Sequence, residues 1–357
     1  MAKIIHTADI HLDSTFTSLS PDVAKQRRAG QRTLVSKIID IANEENVDAI
    51  IIAGDLFDSY PIYTETAESL LRDFSRTRAS VFITPGNHDP YTFDSPYKTL
   101  NFPENVYIFT ENTLTSTELP SAKLRIFGAA YASENLEGRI LKDFKAPDDD
   151  FTNIVILHSH LSCTEKYCPV SVDEISGCGA DFVALGHIHM PTEIRKAGRT
   201  CYAYCGIPEA RDFCEAHATG FYIGEIHKGY VNLEHRTVSD IRYRDITVDI
   251  EKTPDIKESL PYPASHEHLR LTLKGECKEF DAQVLYRELS SGYDELIILD
   301  ETIAPQDMWQ GIGEETLRGI FLRKMKERLE SCEDERERQK IRLATKLGID
   351  AIENRDI

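Results

Sequence analysis

Several things are scarce or missing in this sequence, and each absence closes a route. The eight cysteines form no Cys-x-x-Cys pair, and the spacing of Cys201, Cys205 and Cys214 fits no standard zinc pattern. No apolar run approaches the length of a membrane span. The start, MAKIIHTADIHLD, lacks the long apolar stretch of a secretion signal. The expectation is a cytoplasmic chain with reduced thiols and no membrane association. No glycine-rich loop ending in Lys-Ser or Lys-Thr occurs, which excludes nucleotide binding of the Walker type. Basic residues are outnumbered, 41 Lys and Arg against 60 Asp and Glu, for a net charge of −19. A chain that grips duplex DNA unaided normally shows a basic footprint. Here the substrate is small, or a local patch holds it, or a partner supplies the affinity.

What is present describes a globular protein of more than one domain: 357 residues, 41% hydrophobic and 28% charged. Short apolar runs at 3–6, 48–53 and 80–84 read as strands, and helical spacing at 33–45 and 65–76 separates them. That alternation predicts an α/β fold with a parallel segment. Further strands at 106–109, 124–129, 154–157, 182–185, 200–205, 220–226 and 231–237 leave little room for helices. They predict a second, more antiparallel sheet packed on the first. A small α+β module is expected over 241–304, and a helical tail over 305–357. In the tail, Leu317, Ile320, Phe321, Met325 and Leu329 make one apolar stripe. A second, highly charged helix is expected over 331–346, with Gly348 ending it.

Five short motifs carry the chemistry: Asp9-Ile10-His11, Gly54-Asp55-Leu56-Phe57-Asp58, Gly86-Asn87-His88-Asp89, Leu157-His158-Ser159-His160 and Gly186-His187-Ile188-His189. Each directly follows an expected strand, and the carboxyl ends of strands in α/β sheets form the usual ligand crevice. Asp, His and Asn offer oxygen and imidazole donors, which suit manganese, iron or zinc. Either His-x-His or Asp-x-His alone is a weak signal. The ordered set of five predicts a two-metal centre, with Asp55 as the carboxylate shared between the ions.

Lys25, Arg27, Arg28 and Arg32 form a basic cluster that could meet substrate phosphates, against the simpler reading of a solvated helix face. Tyr60, Tyr91, Phe93 and Tyr97 follow metal motifs and could stack on bases, against plain loop packing. His160 reads as a polar strand-end residue before it reads as a group behind the ligands.

The segments HTADIHLD, AGDLFD, TPGNHD, ILHSH and ALGHIH together resemble the signature of calcineurin-like metallophosphoesterases. Within them they are similar to the SbcD-type nuclease subunits and their YhaO-like branch. The resemblance is strong over 1–240, weaker over 241–304 and confined to pattern in the tail. It implies a two-sheet β-sandwich flanked by helices and a cofactor of two divalent ions, manganese first, with iron, zinc or magnesium as substitutes. Asp9, His11, Asp55 and His189 would hold one ion; Asp55, Asn87, His158 and His187 would hold the other. His88 would stay unligated, stabilising the transition state or protonating the leaving oxygen. Asp89 or another nearby carboxylate is expected to orient it.

The resemblance also implies DNA as substrate, an SMC-like coiled-coil ATPase docked on the tail, DNA contacts from the 241–304 module, and homodimer formation through the catalytic domain. One position departs from the archaeal and eukaryotic-type pattern, where the second motif ends in histidine. Asp58 stands there and cannot donate as a cation would, so no cleavage polarity is carried over. Two other readings stay open: a small-molecule phosphodiesterase or phosphatase, and a non-catalytic scaffold of the ATPase.

Overall fold

An unbroken apolar run such as AIIIA suits a strand covered on both faces, and the chain uses its runs in that way. The computed structural model describes residues 1–357 apart from 18, 137, 162–166, 218, 254, 264–265, 278–279, 304–307 and 353–357. It divides into two units, Met1–Asp240 and Ile241–Ile357.

The strands of the first unit, in chain order, are β1 (Ala2–Thr7), β2 (Ala49–Ala53), β3 (Ser80–Thr84), β4 (Val106–Ile108), β5 (Thr115–Leu119), β6 (Leu124–Gly128), β7 (Thr152–His158), β8 (Phe182–Gly186), β9 (Arg195–Ala197), β10 (Thr200–Tyr204), β11 (Phe221–His227) and β12 (Tyr230–Arg236). They make two sheets of six, ordered β12-β11-β1-β2-β3-β4 and β5-β6-β7-β8-β10-β9. β1 to β4 pair in parallel, with β11 and β12 added antiparallel. In the second sheet β6, β7, β8 and β10 are parallel, and β5 and β9 are antiparallel edges. It is therefore no more antiparallel than the first, against the expectation, because the long connections between β6, β7 and β8 are crossovers that return the chain in the same direction.

The two-residue side-chain period builds the layers. Ala49, Ile51 and Ala53 of β2 meet Ile154, Ile156, Phe182 and Ala184 of the second sheet in the inter-sheet core. Ile50 and Ile52 point the other way, toward helices α1 (Pro21–Glu44) and α2 (Thr64–Arg76), through Val35, Ile38, Ile39, Leu70 and Phe74. The outer face of the second sheet buries Val155, Leu157, Val183 and Leu185 against Val170 and Ile175. Burying each such side chain is worth about 1.5–3 kcal/mol, so the strand ends of both sheets sit on a rigid base. The result is the two-sheet sandwich with flanking helices read from the sequence. α1 begins twelve residues before the expected helix, because Pro21 is well placed in a first turn and Ala24 and Gln31 extend the buried face.

The second unit holds a parallel sheet of β13 (Arg242–Asp249), β14 (Glu267–Lys274) and β15 (Glu295–Asp300), packed through Val248, Leu269, Leu271 and Leu296 onto Leu285 of helix Ala282–Leu289. Helices Leu317–Glu330 and Glu335–Ile352 follow. Gly348 does not end the last helix. A Cβ there would lie 2.2 Å from Phe321 Cζ, so the glycine admits the neighbouring helix instead. Among the described residues, no helix is long and apolar enough to cross a membrane, and the cysteines are free.

Candidate metal centre

The five motifs lie at the carboxyl ends of β1, β2, β3, β7 and β8, which the sandwich brings to one rim. The loops after β1 and β2 continue side by side. Asp9 N donates to Gly54 O (3.0 Å), His11 N to Asp55 O (3.0 Å) and Leu12 N to Leu56 O (2.9 Å). Asp9, His11, Asp55 and His187 all adopt positive φ, at 52°, 49°, 50° and 91°. Such backbone costs free energy for residues with a Cβ and persists where the surroundings enforce it, often at functional sites. Two glycines make the approach feasible. A Cβ on Gly54, itself at φ 90°, would lie 2.2 Å from His158 Nδ1, and one on Gly86 would lie 2.1 Å from Asp55 Oδ1.

Asp55 is central. Its Oδ2 lies 3.1 Å from His158 Nε2 and 3.7 Å from His11 Nε2, while its Oδ1 accepts from His88 N at 3.0 Å. On one side, Asp9, His11 and His189 present ligand atoms within 4.8 Å of one another. On the other, Asp9, Asp55 and His158 do the same, and Asn87 Oδ1 lies 2.9 Å from His158 Nε2 and 3.2 Å from His187 Nδ1. Asp9 also accepts from His187 N (3.0 and 3.2 Å), which ties the β8 loop to the β1 loop. The structure thus brings Asp9, His11, Asp55, Asn87, His158, His187 and His189 together.

These residues fit divalent cations. His11 Nε2 is buried without a hydrogen-bond partner and faces two carboxylates. His158 donates from Nδ1 to Ala53 O (2.9 Å), which directs Nε2 at Asp55 and Asn87. Burial holds His11 below the ordinary imidazole range despite its bond to Asp58. Burial and the neighbouring His158 charge lower His187 to about 3. Both rings therefore keep a lone pair, as ligation requires. Burial opposes protonation of His158, but the Asp55 carboxylate outweighs it and raises the ring to about 9. Burial likewise works to raise Asp55, and the His158 charge and hydrogen bond outweigh it and hold the carboxyl below its usual range. Burial raises Asp9. Two buried carboxylates with one proton-hungry imidazole form a pocket that calls for positive charge.

His88 is exposed at the rim, and its Nδ1 donates to Asp58 O (3.1 Å). Its ring meets that of His11 edge to face, centroids 4.8 Å apart. Of the carboxylates expected beside His88, Asp89 does not pair with it, whereas Asp58 offers an oxygen within 4.8 Å of a His88 ring nitrogen. Asp89 is buried and faces inward, accepting from Gly86 N (2.7 Å), Phe57 N (3.0 Å) and Tyr97 Oη (2.5 Å). It braces the turn that carries Asn87 and His88. Burial and the Asp55 charge raise its carboxyl to about 7, against the pull of those donors.

Asp58 accepts from His11 Nδ1 at 3.0 Å and from Arg211 Nη1 at 3.1 Å. The basic cluster divides. Arg27 is buried and donates to Ala210 O (2.8 Å), Arg32 reaches Thr66 Oγ1 (3.2 Å), and Arg28 lies over the Tyr63 ring. Tyr60 bonds Thr92, Tyr91 carries Lys98 over its ring, and Phe93 is 92% exposed. The His160 ring lies 6.1 Å from that of His187. Sequence reasoning missed Glu215 and Arg211. Glu215 accepts from His189 Nδ1 at 2.6 Å. Neither sits in a motif, and the sequence carries no signal pairing position 215 with position 189.

The calcineurin-like phosphoesterase family matches residues 2–191 of the chain. The metallophosphoesterase YhaO of Bacillus subtilis is 29% identical over 305 residues, which cover 77% of this chain and 72% of that one. The SbcD component of nuclease SbcCD from the same organism is 29% identical over 263 residues, 60% of this chain and 63% of that one. The DNA double-strand break repair protein Mre11 of Methanopyrus kandleri is 23% identical over 255 residues, 64% and 54% of the two chains. The chain spans less than two thirds of the length of those last two relatives.

Proposed function

The chain belongs to the calcineurin-like phosphoesterase family, and on that premise we propose that it is a dinuclear-metal phosphodiesterase acting on DNA. The observation that carries this reading is Asp55, one carboxylate oxygen facing His11 from one side and His158 from the other. Asp9, His11, Asp55 and His189 would hold one ion, and Asp55, Asn87, His158 and His187 the other, with manganese the first candidate. A pair of divalent cations in such a site supplies Lewis acidity, withdrawing charge from a phosphoryl group and lowering the pKa of an attacking water.

The chain's own residues do the rest. The carbonyl oxygen of Asp58 fixes His88 Nδ1 as the protonated nitrogen, which turns Nε2 toward the open rim. With a second proton on the ring, the imidazolium Nε2–H there can pass that proton to the leaving oxygen, leaving the neutral Nδ1–H ring, or hold charge on a non-bridging oxygen. His158, held by its Nδ1 donation to Ala53 O, keeps Nε2 directed at Asp55 and at Asn87 Oδ1. DNA as substrate draws support from the names of the nuclease and repair relatives, and a partner subunit from the first being one component of nuclease SbcCD. That the partner is a coiled-coil ATPase is what the motif resemblance implies. Leu317, Ile320, Leu343 and Leu347 of the two terminal helices are exposed and would suit such docking.

The test is cleavage of duplex DNA by manganese-loaded protein and by His88→Ala. Loss of about 10²–10⁴-fold in rate is expected, with metal content unchanged. Equal cleavage by the variant would overturn the role of His88, and no cleavage of any phosphodiester by either would leave a scaffold. The charge of −19 favours a second reading, a small-molecule phosphodiesterase. Turnover of bis-p-nitrophenyl phosphate and cyclic nucleotides orders of magnitude above that of duplex ends would select it.

A further inference from the structure

Two of the proposed ligands are held differently from the rest. His11 Nδ1 donates to the Asp58 carboxylate at 3.0 Å, and His189 Nδ1 donates to the Glu215 carboxylate at 2.6 Å. Carboxylates can only accept here, so Nδ1 carries the proton in both rings. The lone pair is left on Nε2. Both Nε2 atoms face carboxylates of the centre, at 3.7 Å from Asp55 Oδ2 and 3.7 Å from Asp9 Oδ1. His158, on the other side, donates to a main-chain carbonyl, that of Ala53.

One guanidinium joins the two carboxylates. Arg211 Nη1 donates to Asp58 Oδ1 at 3.1 Å, and Nη2 donates to Glu215 Oε1 at 2.8 Å. The Arg211 main-chain N also donates to Glu215 Oε2 at 2.8 Å. The intervening residues close into a single turn over Phe213–Glu215, where Asp212 Oδ1 accepts from Cys214 N at 2.7 Å. The five residues Arg211 to Glu215 therefore form a hook, placed against a loop 153 positions away. The side chains of Arg211, Asp58 and Glu215 are 23%, 18% and 11% exposed, so solvent screens the network little.

We propose that Arg211, Asp58 and Glu215 are positioning residues that set the proton position and orientation of His11 and His189, and thereby tune one metal position without the other. The inference rests on the metal reading of the centre. Carboxylate-backed imidazoles are more basic donors than carbonyl-backed ones, and losing such backing typically weakens metal affinity 10–100-fold. Arg211 matters through its fork. A guanidinium reaches two carboxylates at fixed spacing, whereas an ammonium is a single point. The proposal also gives Asp58 a task where the related pattern has histidine: it holds His11.

The test is calorimetric titration of manganese into the metal-free full chain, beside thermal melting of the same samples. Wild type is expected to show two binding steps. Glu215→Gln should weaken one of them about 10–100-fold and leave the other unchanged. Arg211→Lys should do the same, and it keeps the charge in place if Glu215→Gln does not fold. Melting of the metal-free variants should stay close to that of wild type. Equal weakening of both steps would mark a general structural role and overturn the proposal. Two unchanged steps would overturn it while leaving the dinuclear reading intact. A wild-type chain that takes up no manganese would overturn both.

Discussion

Asp89 accepts three hydrogen bonds inside the protein, from Gly86 N, Phe57 N and Tyr97 Oη. Those donors come from the turn carrying Asn87 and His88, from the loop carrying Asp55, and from a short helix beyond. One buried carboxylate therefore fixes the spacing of three proposed functional groups. Tyr97→Phe removes a donor to a buried acid and should cost about 1.5–3 kcal/mol of unfolding free energy, read by urea denaturation. Asp89→Asn should cost more, because an amide NH2 would face a main-chain N–H that needs an acceptor. If Asp89→Asn were as stable as wild type, the bracing role would be wrong. The same residue shows where sequence reasoning stops. Position 89 next to His88 suggested a partnership, yet neighbours in an extended turn point apart, and His88 turned to the carbonyl of Asp58 instead.

At the scale of elements, the strand ends decide the chemistry, and they were the legible part. Ser80–Thr84 has the bounds expected from its apolar run, and β2, β6, β8 and β10 differ from expectation by a residue at one end. Continuous apolar runs leave few choices. The edge strands Thr115–Leu119 and Arg195–Ala197 were not read, because half-exposed polar residues there look like loop. The convergence of the seven proposed donors was legible since each lies at or just past the carboxyl end of a buried strand. Glu215 and Arg211 were not, since their partners come from the loops after β8 and after β2, which only the folded sheets bring near. Gly54 tests the strand-end argument. At φ 90°, with His158 Nδ1 2.2 Å from any added Cβ, Gly54→Ala should strain the backbone and push His158 off Ala53 O. A stability loss of at least about 1–3 kcal/mol is expected. Manganese titration should show weakening of the position that draws on His158. A variant with normal melting and normal uptake would show that the loop yields easily.

Over the whole molecule, charge and chemistry are divided. All seven proposed donors, His88 and the Arg211 network belong to the unit Met1–Asp240. That unit has its own inter-sheet core and both faces covered. The unit Ile241–Ile357 has a separate small core around Leu269, Leu271 and Leu273, and a pair of helices with exposed leucines. A chain of net charge −19 repels a polyanion at long range, whatever cations occupy one pocket. Hydrolysis of a small phosphodiester needs only the pocket, whereas holding DNA needs more surface. The fragment 1–240 should therefore melt in one cooperative transition and take up manganese as the full chain does. It should hydrolyse bis-p-nitrophenyl phosphate at a comparable rate, while its cleavage of duplex DNA falls about tenfold or more, equivalent to losing ~1.4 kcal/mol of substrate binding. Equal losses on both substrates would place part of the catalytic apparatus beyond residue 240. Equal retention of both would mean that DNA is held by the sandwich alone, and the terminal unit would then be free for a partner.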